Sequence, residues 1–233
     1  MKNLTYVLTI GLLLVACAKQ DVVTPQKEPI PVNTNPEYIG NMGYVQGQIL
    51  DYNFNITTGI DRWWSSSLLE IITRNNIRLP YLIPRSSITR AINDSNGDPS
   101  QIYSFNCNFE GLPYGESFDF LKKQYPKGKK MSFKKTDFYA QDGVALEFFD
   151  MSLKNGNMLG KSGSSIFGDQ TGSTWEILDS QEVPLSQQAR QAQMTNALAI
   201  TSLINCKLYN NKGEVVGNVK NLKIQVVLNY KKI

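Results

Sequence analysis

The sequence predicts an all-β fold, an antiparallel β-sandwich with at most one or two short helices. Three observations predict it. From Tyr44 onward the apolar side chains alternate mainly with a period of two, turn residues interrupt the alternation about every ten residues, and residues 221–230 alternate without a break. Short strands joined by turns at this spacing are typical of sandwiches.

Four strands are predicted in the first part of the domain. The segment from Tyr44 to Leu50 is the first of them. Residues 102–109 alternate between an apolar face and a polar face and form the second. Residues 143–150 form the third, before a turn at Asn155-Gly156, and Thr174 to Leu178 the fourth. The apolar face of the second strand holds Tyr103, Phe105, Cys107 and Phe109, and the polar face holds Ser104, Asn106 and Asn108.

The C-terminal part predicts a long antiparallel pairing. One strand presents Leu198, Ile200, Ile204, Cys206 and Leu208 on one face. A turn follows at residues 210–213, where Gly213 suits a positive φ. Glu214 to Val219 returns, and the closing strand alternates to the end. We expect that strand to bury Leu222, Ile224, Val226 and Leu228, and to turn Lys223, Gln225 and Asn229 toward water.

Two segments depart from the period of two. After a potential cap at Asp61, the apolar residues Trp64, Leu68, Ile71 and Ile72 lie at helical spacing, which predicts a helix toward Asn75. Ile71 and Ile72 fit a strand equally well. The polar segment from Gln187 to Thr195 fits a loop or a short helical turn.

Composition excludes several classes of chemistry. The chain has 233 residues, 24 Lys and Arg against 20 Asp and Glu, and no histidine. Without histidine there is no Ser-His-Asp or Cys-His catalysis, no histidine-ligated metal and no histidine pH switch. We expect no cofactor, and a net charge of +4 is too small to indicate a nucleic-acid partner.

The N-terminus predicts export. Lys2 precedes an apolar run from Tyr6 to Ala16, too short for a transmembrane helix, which needs about 20 residues. The run ends in Leu14-Val15-Ala16-Cys17, which resembles the lipobox of bacterial lipoproteins. The resemblance implies a signal peptide at 1–16, cleavage before Cys17, a diacylglyceryl group on its thiol and acylation of the new amino group. An ordinary secretory signal is the open alternative.

A tether is predicted between the lipid and the domain. Residues 17–42 begin with the lipidated cysteine and contain four prolines among polar residues, which favours an extended, partly polyproline II spacer. Lys19-Gln20-Asp21 resembles the surface-export signal of Bacteroidota lipoproteins. We therefore expect attachment to the cell envelope through the lipid on Cys17, in the outer membrane on its periplasmic or surface side. The β-sandwich domain is expected at 43–233, with a subdivision near 126–131 left open.

Two parts of the domain resemble known families. Gly43 to Leu50, with Ile88-Thr89, residues 94–98 and Gly111-Leu112, is similar to the carboxypeptidase-regulatory, prealbumin-like sandwich, although Pro99 replaces an aromatic residue and residues 60–87 are an insertion. Residues 167–170, 172–177 and 205–210 resemble small Bacteroidota lipoproteins of unassigned function. That second resemblance implies location and fold, and no active site.

Two cysteines remain if Cys17 carries lipid. Cys107 and Cys206 both lie on predicted core faces. A disulfide between them suits an exported protein. Two separate buried thiols are equally consistent with the sequence, because pairing needs Cα atoms within about 7 Å.

Lysines and a tryptophan are the candidate ligand contacts. Seven lysines crowd residues 122–135 without an acid among them. Lys127, Lys129 and Lys130 could contact an anionic glycan, lipid headgroups or an acidic partner, and a solvated loop around Pro126-Lys127-Gly128 is the other interpretation. Trp63 could stack on a sugar ring, while its neighbour Trp64 is expected in the core.

Metal-binding and catalytic motifs are few. Residues 94–98 alternate oxygen ligands but lack the glycine and glutamate of an EF-hand, which leaves an irregular calcium loop or a plain turn. Ser132-x-x-Lys135 matches the spacing of penicillin-recognising enzymes without their companion motifs. Glu147 and Asp150 are three apart, so a strand would place them on opposite faces.

The sequence therefore favours a non-catalytic lipoprotein of the envelope with a structural, adhesion or ligand-binding role, its partner a glycan or another envelope protein. A glycan- or peptide-acting hydrolase that uses carboxylates is the alternative.

Overall fold

The computed structural model describes residues 43–58, 64–74, 77–93, 99–135, 140–154 and 157–231, all within the compact unit Val32–Ile233. Within these ranges the backbone alone is described at 64–65, 68–74, 77–80, 91–93, 99–101, 152–154 and 157–161. The predictions for Cys17, the tether, Trp63, residues 94–98 and the Asn155-Gly156 turn lie outside the described residues.

Eleven strands and two short helices make up the described part of the chain. The strands are β1 (Tyr44–Ile49), β2 (Tyr52–Thr57), β3 (Trp64–Arg74), β4 (Ile77–Asn93), β5 (Pro99–Asn108), β6 (Leu112–Pro113), β7 (Ala145–Lys154), β8 (Asn157–Ser164), β9 (Thr174–Val183), β10 (Asn196–Tyr209) and β11 (Val215–Tyr230). The helices are α1 (Phe118–Gln124) and α2 (Gln187–Gln191). No helix among the described residues is long and apolar enough to cross a membrane.

The strands pair antiparallel in one continuous sheet. Its order is β2-β1-β11-β10-β8-β7-β5-β4-β3, with β9 added to β10 and β6 added to β4. The sheet curls into a half-barrel, so that strands distant in the order face each other across a shared core. The predicted all-β antiparallel class with few short helices is confirmed.

The core fills the concave side of the half-barrel. Inward side chains of β5, β7, β9, β10 and β11 meet there, and the burial of Phe105, Ile177, Ile204 and Ile224 is nearly complete. An aromatic cluster joins the edge strand β2 to this core: the ring of Phe54 lies 4.9 Å from Phe105 and 5.7 Å from Phe148, centroid to centroid. Edge-to-face pairs of this kind stabilise a core beyond the area they bury.

The predicted helix after Asp61 is wrong, because Trp64–Arg74 is strand β3. It pairs with β4 from Trp64 opposite Thr89 to Arg74 opposite Ile77. Isoleucine and tryptophan at these positions are compatible with either period. The long partner strand β4 decides the conformation, since pairing satisfies the backbone groups along its length.

Serine hydroxyls connect the two ends of the curled sheet. The Oγ of Ser86 on β4 donates to the carbonyl oxygen of Val227 on β11 at 3.2 Å, and it also lies 3.0 Å from the carbonyl oxygen of Ser66. The backbone amide of Asn229 donates to Oγ of Ser67 on β3 at 2.7 Å. Serine side chains thus bond to backbone groups of β11 beyond Gln225, where β11 is no longer paired with β1.

The prediction that Asn229 faces water is wrong. Its side chain is 8% exposed, and Val227 on the same face is 2% exposed. Val227 forms a second small apolar cluster with Ala197 and Ala199 on the convex side of the sheet. The other predictions for β11 are confirmed for Leu222, Ile224, Val226 and Leu228, all at most 1% exposed, while Lys223 is exposed and Gln225 half-buried.

A bulge shapes the pairing of β1 with β11. The register shifts between Gln46 and Gln48, and Asn221 opposite the shift has a φ of 47°. Gly47 has a φ of 131°, and a Cβ there would lie 2.6 Å from the carbonyl oxygen of Asn221. Only glycine fits this position without strain.

Both helices begin at a serine cap. Ser117 accepts from the amide of Phe120 before α1, and Ser186 accepts from the amide of Ala189 before α2. α1 buries Phe118 and Leu121 and carries Lys122 and Lys123 in its last turn. The start of the lysine-rich region is therefore helical, and the residues Pro126-Lys127-Gly128 follow the end of α1.

Candidate functional site

A surface cleft of about 710 Å³ lies between the segment 131–135 and the loop 168–173. Its volume falls within the range typical of small-molecule sites, about 300–1,000 Å³. It is lined by Met131, Ser132, Phe133, Lys134, Lys135, Gly168, Asp169, Gln170, Thr171 and Ser173.

The segment 131–135 is fixed by neighbouring backbone. The amide of Met131 donates to the carbonyl oxygen of Trp175 on β9 at 2.8 Å, and the amide of Val144 donates to the carbonyl oxygen of Ser132 at 2.8 Å. The Phe133 ring packs 6.1 Å from the Trp175 ring. These contacts bury Met131 and hold Ser132 and Lys135 exposed on the cleft side.

Gln170 organises the loop that forms the other wall. Its Nε2 donates to the carbonyl oxygens of Ser165 and Lys207, at 2.8 and 2.9 Å. Its Oε1 accepts from Oγ of Ser173 at 2.6 Å and from the amide of Lys207 at 3.2 Å. One side-chain amide therefore ties both ends of the loop to β10 and fixes its shape.

A close contact with β10 explains the glycine in this loop. A Cβ at Gly168 would clash with the ring of Tyr209, whose hydroxyl donates to the carbonyl oxygen of Asp169. The residues that carry the resemblance to Bacteroidota lipoproteins are thus the ones that build this wall. That motif was the only sequence signal for the wall, and it assigned no chemistry to Asp169, Gln170 or Thr171.

The charges that face the cleft are of both signs. The hydroxyl and the backbone amide of Thr171 donate to Oδ1 of Asp169, at 2.7 and 2.9 Å, and they lower the pKa of that carboxyl group. Asp169 is therefore ionised at neutral pH. Lys135 on the opposite wall is exposed and cationic, and Ser132 and Thr171 add hydroxyl groups to the lining.

An exposed aromatic residue precedes the loop 168–173 in the chain. Phe167 precedes Gly168 and is 47% exposed, one of three large apolar side chains with such exposure among the described residues. Exposed apolar groups of this size mark contact sites when they adjoin polar groups that fix an orientation. Phe167 is therefore an exposed apolar residue one position before the wall that carries Asp169 and Thr171.

The lysines selected from the sequence do not form one cationic patch. The Nζ of Lys129 donates to Oε2 of Glu110 and to the carbonyl oxygen of Gln124, both at 2.8 Å, and lies 5.8 Å from the centroid of the Tyr125 ring. Lys127 and Lys130 are exposed, and Lys130 pairs with Glu176 across a β-bridge. Ligand contact stays a prediction for Lys127 and Lys130.

Two other lysines of the same region also have ion-pair or hydrogen-bond partners. Lys122 bridges Asp119 at 2.9 Å and Glu182 at 3.6 Å. Lys134 is 2% exposed and its Nζ donates to the carbonyl oxygen of Ala140. Acids distant in sequence therefore neutralise part of a run that appears unpaired in the sequence.

Cys107 and Cys206 are buried free thiols in this structure, and a disulfide between them is one of the two alternatives that the sequence leaves open. Burial raises the pKa of both, that of Cys206 to about 12, and the nearby Cys206 contributes to the shift at Cys107. Thiols with raised pKa values are poor nucleophiles at neutral pH. In this structure both cysteines are separate thiols in the core.

Glu147 and Asp150 lie on opposite faces of β7, as predicted. Glu147 is on the convex side, where Nη2 of Arg85 is 3.9 Å from its Oε2 and Asn106 is a hydrogen-bond partner. Burial nevertheless raises the pKa of Glu147 to about 7. Asp150 is on the concave side, where it accepts from Tyr52. The two carboxyl groups cannot act on one bond together.

Next to Glu147, the amide nitrogen and oxygen of Asn108 are buried and have no hydrogen-bond partner among the described residues. No group of three or more acidic or cysteine side chains in the described ranges could hold a metal ion.

No protein-family model, curated protein or solved structure matches the chain. The two family resemblances seen in the sequence stay predictions.

Proposed function

We propose that the chain is a lipid-anchored lipoprotein of the cell envelope that binds a hydroxyl-rich ligand, an oligosaccharide, without transforming it. The observation that carries this proposal is the cleft between 131–135 and 168–173, whose second wall follows the exposed Phe167 in the chain. Sugar rings have apolar C–H faces and polar edges, which match an aromatic side chain beside hydroxyls and a carboxylate.

The balance of charge in the cleft favours a neutral ligand. The exposed charged side chains of the lining, Asp169 and Lys135, have opposite signs. The lining residue Lys134 is 2% exposed and its Nζ donates to the carbonyl oxygen of Ala140, and the other polar side chains are hydroxyls and an amide. Such groups donate and accept, as sugar hydroxyls do. Because Gln170 fixes the loop in advance, little conformational entropy would be lost on binding.

Two variants test the cleft. In the full chain, purified in non-ionic detergent, Phe167→Ala and Asp169→Asn should each weaken the affinity for a panel of neutral oligosaccharides about tenfold, measured by calorimetry. Val215→Ala is the matched control, because Val215 is 58% exposed and does not line the cleft. Absence of binding by the unaltered chain, or equal losses in the control, would contradict the proposal.

The anchor is tested separately. Cys17→Ser should move the chain from the detergent phase to the aqueous phase in a cloud-point partition, or leave it uncleaved, because the thiol that receives lipid is gone. Mass spectrometry of the unaltered mature N-terminus should find an acylated Cys17. An unmodified Cys17 would leave an exported binding protein without an anchor.

The hydrolase alternative has one observation in its favour. The pKa of Glu147, near 7, is in the range of a general acid. A second carboxylate would have to come from another residue than Asp150, which lies on the opposite face. Hydrolysis of a glycan that Glu147→Gln abolishes, with oligosaccharide binding retained, would establish that alternative.

A further inference from the structure

The convex face of β2, β1 and β11 is exposed and has an unusual composition. Alternate residues of these strands point away from the core and align in cross-strand rows: Asn55 pairs with Gln46 and Gln46 with Lys223, while Asn53 pairs with Gln48 and Gln48 with Lys220. Asn53, Asn55, Gln46, Lys220 and Lys223 are exposed and Gln48 is half-buried. Two rows of amides and ammonium groups therefore lie side by side.

This face is cationic. Lys220 and Lys223 are its charged side chains, and none of the outward positions on β2, β1 or β11 holds an acid. On β10 the next outward cation is Lys207, and the acids Glu176 and Asp179 appear only on β9, beyond it. An anion on the first three strands would therefore meet Lys220 and Lys223 directly. The acids of β9 lie two strands beyond β11, at about one Debye length, about 10 Å, in 0.1 M salt, and Asp51 lies in the β1–β2 turn.

The side chains of the face are also ordered. The Nζ of Lys223 lies 5.6 Å from the centroid of the Tyr44 ring, and Nε2 of Gln46 donates to Oδ1 of Asn55 at 3.3 Å. Restraint of this kind lowers the entropy lost when a long side chain binds. Amides supply both donors and acceptors at fixed spacing, as sugar hydroxyls require.

We propose that this convex face of β2, β1 and β11 binds an anionic polysaccharide, with Lys220 and Lys223 contacting its acidic groups and the amides contacting its hydroxyls. The site is separate from the cleft and independent of the proposed oligosaccharide binding. A membrane surface is a poorer match, because the cross-strand rows that contain Lys220 and Lys223 hold amides and no large apolar side chain.

A bead-retention assay tests the proposal. The full chain, in non-ionic detergent, is applied to three kinds of beads. Polygalacturonate beads should retain the chain at low salt and release it as salt rises, while neutral dextran beads and polyglutamate beads should retain it at least tenfold less. Absence of retention on polygalacturonate would overturn the proposal. Retention that is equal on polyglutamate would also overturn it, in favour of an acidic protein partner.

Matched variants locate the contact. The double variant Lys220→Gln/Lys223→Gln removes two charges and keeps hydrogen-bonding amides, and it should lower the apparent affinity for polygalacturonate about tenfold. The control Lys123→Gln/Lys231→Gln makes the same change at two exposed lysines outside the face and should have no effect. Phe167→Ala should also leave retention unchanged. Equal loss in the control, or unchanged retention in the double variant, would contradict the assignment.

Discussion

The hydroxyl of Tyr52 donates a hydrogen bond of 2.6 Å to Oδ2 of Asp150, 98 residues further along the chain. Tyr52 begins the edge strand β2, and Asp150 lies on β7, across the concave side of the half-barrel. The Tyr52 ring also packs 6.0 Å from Phe148. The contact thus connects two strands that are far apart in the order of the sheet and closes one end of the core.

Tyr52→Phe should therefore destabilise the domain without changing its packing. A hydrogen bond to an ionised group contributes about 1.5–3 kcal/mol, and the free energy of unfolding in urea should fall by about that amount. Tyr44→Phe removes the same atom from a ring on the exposed convex face and should change the free energy by less than about 0.5 kcal/mol. Equal effects of the two variants would show that the Asp150 contact adds nothing.

The pH dependence of stability should report on Glu147. Its pKa is raised from 4.5 to about 7 in the folded chain, so the folded state holds its proton more tightly than the unfolded state. The associated stability is fully present below about pH 4.5, is lost as pH rises, and is gone above about pH 7. The loss is about 3 kcal/mol.

Glu147→Gln should remove this component from the pH profile. Measured by urea unfolding, the variant should gain stability relative to the unaltered chain between pH 5 and pH 8. Glu214→Gln makes the same chemical change at an exposed site and should leave the profile as it is. A difference between variant and unaltered chain that is constant with pH would contradict the raised pKa.

Ser86→Ala tests how the sheet closes. The Ser86 side chain is 1% exposed and lies within hydrogen-bond distance of the Val227 and Ser66 carbonyl oxygens, which would lose this donor. Leaving a buried acceptor without a donor costs about 1–3 kcal/mol. Hydrogen exchange of the neighbouring Asn229 amide should accelerate more than that of amides at the centre of β10. Ser87→Ala, on the opposite face of β4, should leave Asn229 unchanged.

The alternation in β11 could be predicted because one face is buried along most of its length. Leu222, Ile224 and Val226 follow the period of two and pack in the core as expected. Asn229 breaks the rule at the point where β3 meets β11, and its backbone amide donates to Oγ of Ser67 there. The sequence near Asn229 has no signal for this contact, because the partner is 162 residues away.

The strand conformation of β3 and the ion-pair partners of the lysines could not be predicted, because both depend on residues distant in the sequence. Ile71 and Ile72 suit a helix or a strand, and only the pairing with β4 decides. Lys129 appears unpaired in sequence because Glu110 is 19 residues away, although the two atoms are 2.8 Å apart in the fold. The cleft has no signal in the sequence because its two walls come from separate segments, and the second wall is shaped by the bonds of Gln170 to β10.

The two core cysteines should titrate only in the unfolded chain. Both thiols are buried and have raised pKa values, so a thiol reagent at pH 7 should not modify them in the native state. In denaturant without reductant, a thiol assay should count two free thiols, Cys107 and Cys206, because the thiol of an acylated Cys17 does not react. Cys107→Ser should lower that number by one. A count of zero in the unaltered chain would establish a disulfide.

The bulge at Gly47 should be among the positions least tolerant of substitution. Alanine there would place its Cβ 2.6 Å from the Asn221 carbonyl oxygen and 2.8 Å from Cα of Leu222, both backbone atoms that cannot move without disturbing the β1–β11 ladder. The φ of 131° adds strain of its own, so Gly47→Ala should cost about 3 kcal/mol or more. Gly115→Ala is the control, because Gly115 has a φ of 79° with nothing within 4 Å of the added carbon, and it should cost about 1 kcal/mol. Urea unfolding separates the two effects: equal losses would mean that backbone conformation alone matters, and that the close approach of β11 to β1 at this point is not rigid.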